Sequence, residues 1–145
     1  MTASALLEPD PERRAALTRA VMAQTGLDRP AIAAFLRDFY GTARRDEVLA
    51  PAFAGVADWE RHIATITGFW CSVALMTGEY HGRPMQAHAH LALTPGHFAR
   101  WLEIFERTAR AHFTPAGAAH MLEKASRIAR SLEMGLVPLD LTKRG

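Results

Sequence analysis

Apolar residues recur along this chain at the three-and-four spacing of an amphipathic helix, and no segment shows the strict alternation of a half-buried strand. Ile32, Phe35, Leu36, Phe39 and Tyr40 fit an i, i+3, i+4, i+7, i+8 stripe. Trp59, His62, Ile63, Ile66, Phe69, Trp70 and Val73 fall along one face of the next long segment. Phe98, Trp101, Leu102, Ile104 and Phe105 form another stripe, and Met121, Leu122, Ala125, Ile128, Ala129 and Leu132 a last one. Leu17, Ala20 and Val21 repeat the spacing more weakly near the amino terminus.

The polar punctuation between stripes marks where helices start and stop. Asp10-Pro11, Thr94-Pro95 and Thr114-Pro115 pair a capping side chain with a first-turn proline; Asp28-Arg29-Pro30 does the same one residue later. Asp58 opens the helix of Trp59 and His62. Asp46 caps a short turn through Val48-Leu49, which Pro51 interrupts. Gly26 and Gly135 are expected ends, and Gly41 weakens the last turn of its helix. Gly78 to Pro84 reads as a loop, followed by a short helix from Met85 to about Leu91.

These elements predict an all-α protein whose helices pack crosswise around a core or a ligand. Residues 1–30 read as an extension carrying a helix over about 10–25, residues 31–136 as the main domain, and 137–145 as a tail. The first eight or nine residues and the tail are expected to be mobile.

Composition narrows the class. The 145 residues suit one domain, and 49% hydrophobic content allows a real core. Lys plus Arg is 17 against 15 Asp plus Glu, a net +2. No basic run interleaved with aromatics is present, so nucleic acid is not an expected partner. Arg44-Arg45 and Lys143-Arg144 read as solvated pairs. The single cysteine, Cys71, permits no internal disulfide and reads as a buried packing residue, which suits a reducing compartment. There is no secretory signal pattern and no uninterrupted apolar run of roughly 18 residues. The expectation is a soluble, cytoplasmic protein without a membrane partner.

The candidate chemistry centres on His88, which closes Tyr80-His81-Gly82-Arg83-Pro84-Met85-Gln86-Ala87-His88. His62 lies on an apolar stripe, Tyr40 ends another, and Trp101 sits within a third. An imidazole for an iron ligand, apolar walls and polar groups for the open face are what a buried haem needs. His90 competes with His88, but on one helix it would lie about 200° away, so both could not face one iron. Spacing leaves other readings open. The histidine and aromatics serve equally as core residues of a haem-free interaction domain. His81, His88, His90 and His97 could form a transition-metal site, although no zinc spacing or cysteine pair supports it. Hydrolase, P-loop and dinucleotide-binding motifs are missing.

One resemblance draws these residues together. Phe39-Tyr40, Leu49-Ala50-Pro51-Ala52-Phe53, Trp59 with His62, Gly68-Phe69-Trp70, Tyr80-His81-Gly82-Arg83-Pro84, His88, and Phe98 with Trp101-Leu102 and Phe105 resemble the truncated haemoglobins, group III subtype. It covers roughly Ala31 to Leu136. The resemblance implies a shortened globin fold, a two-over-two helical sandwich around haem b, with the leading helix as an addition. It implies His88 as the proximal iron ligand. Tyr40, His62 and Trp101 would face the bound ligand. Phe53, Ile66, Phe69, Tyr80, Met85, Phe98 and Phe105 would surround the cofactor. His90 departs from the pattern, standing where an apolar residue is expected.

The implied function is binding of dioxygen, NO or CO, with oxygen or NO redox chemistry favoured over transport. The alternative is a haem-dependent peroxidase or NO-detoxifying catalyst. Either catalyst would need electrons from a separate reductase. The expected state is a monomer or weak homodimer, with the leading extension and the last helix as contact surfaces.

Overall fold

The computed structural model describes residues 10–137. The mobility expected of the two termini falls on residues 1–9 and 138–145, outside the described residues. The described chain is helical, with α1 at Pro11–Thr25, α2 at Arg29–Ala43, α3 at Trp59–Leu75, α4 at Pro84–His88, α5 at Pro95–His112 and α6 at Pro115–Leu136. A 3₁₀ turn, Ala50–Phe53, interrupts the loop between α2 and α3.

The helix starts follow from side-chain chemistry. The carboxylates of Asp10, Asp28 and Asp58 accept from the backbone N–H groups of Arg13, Ala31 and Arg61, at 2.7, 2.8 and 3.1 Å. Thr114 accepts from Gly117 N–H at 3.1 Å. At α5 the cap is reciprocal in an unusual way: His97 Nδ1 accepts the Thr94 N–H at 2.9 Å, a role glutamate usually fills. Each such cap contributes about 1 kcal/mol.

The ends are less regular. Gly26 closes α1 in the left-handed region, as expected. α2 runs two residues past Gly41, α6 runs through Gly135 to Leu136, and α4 starts at Pro84 and stops at His88, three residues short of the expected end. α3 ends on Met76, a non-glycine residue at φ 62°.

Helices α2 and α3 pack as one layer and α5 and α6 as the other, joined most closely where α2 crosses α5. This is the two-over-two sandwich of a shortened globin. α1 lies on α6 and α3. Thr18 donates to the Leu75 carbonyl at 2.6 Å, and Thr114 to the Thr25 carbonyl at 2.9 Å, which ties α1 to the end of α3 and the start of α6. Phe105 is fully buried at the centre. Its ring lies 4.9–5.4 Å from those of Phe35, Phe39, Trp70 and Trp101. Such contacts add about 0.5–1.5 kcal/mol per pair beyond burial.

Gly117 marks the closest approach of α6 to the end of α1: a Cβ there would sit 2.8 Å from the Thr25 carbonyl oxygen. Gly117→Ala should lower stability by about 1–3 kcal/mol in urea unfolding. Gly96→Ala, on the first turn of α5 with no close contact, should be neutral or slightly stabilising. Equal stability of the Gly117 variant and the parent would contradict this packing.

Candidate functional site

The two layers line a largely apolar, partly open cavity of ≈ 710 Å³. The loop after α2 supplies Leu49, Pro51, Phe53 and Val56; α3 supplies His62, Ile66 and Phe69. Pro84 and His88 come from α4, with Leu91 and Leu93 just beyond it. Phe98 and Trp101 line it from α5, and Ile128 and Leu132 from α6.

His88 owes its orientation to a bond with the start of its own helix. Pro84 occupies the first turn, and its carbonyl lies 2.6 Å from His88 Nδ1, four residues on. A carbonyl only accepts, so Nδ1 carries the hydrogen. The unprotonated nitrogen is then Nε2, on a half-buried ring that lines the cavity.

Tyr40, on the last turns of α2, is buried at 8% exposure. Its ring meets Phe39, Phe53 and His62 edge-on, with centroids 4.8, 5.7 and 5.8 Å away. Burial pushes the phenol well above its ordinary pKa, and the Trp101 indole N–H, donating toward it, offsets only part of that rise. The hydroxyl therefore stays protonated at neutral pH, with its own hydrogen available to donate.

His62 stands between two aromatic rings, Tyr40 at 5.8 Å and Trp59 at 5.3 Å, both edge-on. Burial pushes the imidazole below its ordinary pKa, and the charge His88 would carry on the same cavity pushes it further. Both effects favour a neutral ring. Arg44 caps the outer side of this group, its guanidinium carbon 4.2 Å from the Trp59 ring centre.

The fold brings Tyr40, Phe53, His62, Ile66, Phe69, Tyr80, His88, Phe98 and Trp101 onto one cavity. Two expected residues lie elsewhere. Phe105 is one helical turn beyond Trp101 and sinks into the aromatic core behind the cavity wall. Met85 turns outward, with its sulfur and methyl occupying the space that Gly135 leaves free on α6. The short helix expected to carry both His88 and His90 is also corrected in length. α4 ends at His88, Ala89 and His90 form a turn, and His90 reaches the cavity as well. Among the described residues no three histidine, cysteine or acidic side chains are grouped to hold a metal ion among themselves.

Residues missed in the sequence come from two sources. The irregular loop after α2 gives no periodicity from which its inward side could be read. Ile128 and Leu132 did stand on a visible stripe, but an i, i+4 pair on the last helix looks the same whether it packs on protein or on a ligand.

The comparisons agree with this architecture. No protein-family model matches the chain. A curated relative described as a Group 3 truncated hemoglobin, from Campylobacter jejuni, is 31% identical over 109 residues, covering 71% of this chain and 86% of the relative. The crystal structure of a group III truncated hemoglobin from Campylobacter jejuni superposes with a TM-score of 0.70 at 30% identity, over 76% of this chain and 91% of that one. With its two-over-two helices and its His88 cavity, the chain belongs to the group III truncated haemoglobin family.

Proposed function

We propose that the chain holds haem b through His88 and binds dioxygen, NO or CO beside Tyr40, His62 and Trp101. The observation that carries this reading is the His88 Nδ1–H bond to the Pro84 carbonyl, which leaves Nε2 as the free lone pair on the cavity wall. The donor set fits the group. A neutral imidazole suits ferrous or ferric iron, Phe53, Ile66, Phe69 and Phe98 give apolar walls, and a cavity of ≈ 710 Å³ is of cofactor size. When bound, haem iron supplies an open coordination position for a diatomic ligand.

The chain's own residues decide what happens to that ligand. Tyr40 keeps its proton because burial disfavours the phenolate, so its hydroxyl is a donor. The Trp101 N–H, directed at the Tyr40 oxygen, orients that hydroxyl and polarises its O–H. A neutral His62 carries one ring N–H and needs little reorganisation to turn it inward. Apolar side chains around these three exclude water and lower the local dielectric, which strengthens each hydrogen bond. Several fixed donors slow ligand release, so oxygen or NO redox chemistry suits the site better than transport. The electrons for turnover would come from a separate reductase.

Two outcomes check this reading. Tyr40→Phe should speed oxygen dissociation about tenfold or more, the equivalent of losing roughly 1.5 kcal/mol of hydrogen bonding to a charged partner. Stopped-flow rates equal in variant and parent would remove Tyr40 from the ligand. His62 should titrate below its ordinary 6.5 in an NMR titration of the haem-free protein. Because that shift is downward, the stability the neutral ring contributes is complete above about pH 6.5 and is lost as pH falls through the lowered value. A midpoint at or above the ordinary value would contradict the burial of His62.

A further inference from the structure

Asp46 is bonded through every polar atom it has. Oδ1 accepts from Arg100 Nε at 2.9 Å and Nη2 at 2.7 Å, and Oδ2 accepts from the backbone N–H groups of Val48 and Leu49 at 3.1 and 3.2 Å. Its own N–H donates to the Ala43 carbonyl, and its carbonyl accepts from Ala50 N–H at 2.7 Å. The carboxylate is 7% exposed, and hydrogen bonds from Arg100 are the chief cause holding it below the usual carboxylate range. Arg100 is further held by Glu103 at 3.1 Å.

The position of this pair gives it a consequence for the cavity. The loop between α2 and α3 has only one 3₁₀ turn of its own, yet it supplies Leu49, Pro51, Phe53 and Val56 to the wall. Asp46–Arg100 is that loop's ion pair to α5 among the described residues, and Arg100 directly precedes Trp101. Leu49, the second N–H held by Asp46, is buried, and Phe53 meets Tyr40 edge-on at 5.7 Å. Farther along, Gly55 has open space around it, so the side-chain ties of the loop lie on its Asp46 side and at Phe53.

We propose that Asp46 is a positioning residue: its ion pair with Arg100 latches the 44–58 loop to α5 and thereby sets how fast a small ligand reaches the cavity. The ligand part of this proposal rests on the haem reading above; the latch itself does not.

The test uses Asp46→Asn, which keeps an oxygen for the Val48 and Leu49 N–H groups but removes the charge facing Arg100, and Arg100→Gln, which leaves the turn untouched. Amide hydrogen exchange over residues 47–57 should quicken about tenfold in both variants and in the double variant no further, with little change elsewhere. In haem-loaded protein, bimolecular CO association after flash photolysis should rise about threefold or more, while the stretching band of bound CO, which senses Tyr40 and Trp101, stays in place. Unchanged exchange and association in both folded variants would overturn the latch. So would an effect of Asp46→Asn alone, which would assign the residue to the turn only, or a shifted CO band with unchanged association. Failure of the parent to take up haem would instead sink the haem reading, and the exchange measurement would still decide the latch.

Discussion

The hydrogen bond from His88 Nδ1 to the Pro84 carbonyl is the interaction on which the site depends. It spans four residues and uses the carbonyl of the residue that starts α4. Proline at that start fixes the backbone and removes an N–H that would have no partner. The bond then selects the tautomer, and the tautomer decides which nitrogen can bind a metal. Without it the same imidazole could present either nitrogen to the cavity.

Around that point ordinary physical means settle the state of several polar groups. Burial raises the Tyr40 phenol and lowers the His62 imidazole, so both stay uncharged near neutral pH. Two charged groups near the edge are tied down: Arg44 lies over Trp59, and Asp46 holds Arg100. Behind the wall, Phe35, Phe39 and Phe105 form a backing on which Tyr40, Trp70 and Trp101 pack. The leading helix α1 packs on α6 and α3, outside the set of elements that line the cavity. Among the described residues no helix is long and apolar enough to cross a membrane.

The helix starts were legible because aspartate or threonine before a first-turn proline is a local signal with a local cause. The stripes were legible for the same reason, and nine of the expected site residues do share one cavity. Depth along a stripe was not. Trp101 and Phe105 lie on one face a turn apart, and only the crossing of α2 over α5 puts the first at the cavity and the second in the core. Met85 could not be placed without knowing that Gly135, 50 residues on, leaves room for it. His90 falls in a turn because α4 stops at His88, an end that no capping residue in the sequence announces. The pairing of Asp46 with Arg100 spans 54 residues and joins a turn to a helix, so no periodicity announces it. Met76 ends α3 in a conformation that sequence rules assign to glycine.

The most direct measurement is the absorption spectrum of the chain titrated with haemin, beside His88→Gly with and without added free imidazole. The account expects the parent to take up haem with a strong, sharp band at the violet edge. It expects His88→Gly to lose that histidine-ligated spectrum and to regain it when imidazole enters the space left by the side chain. Identical spectra and equal haem retention in parent and His88→Gly, with no response to imidazole, would contradict it.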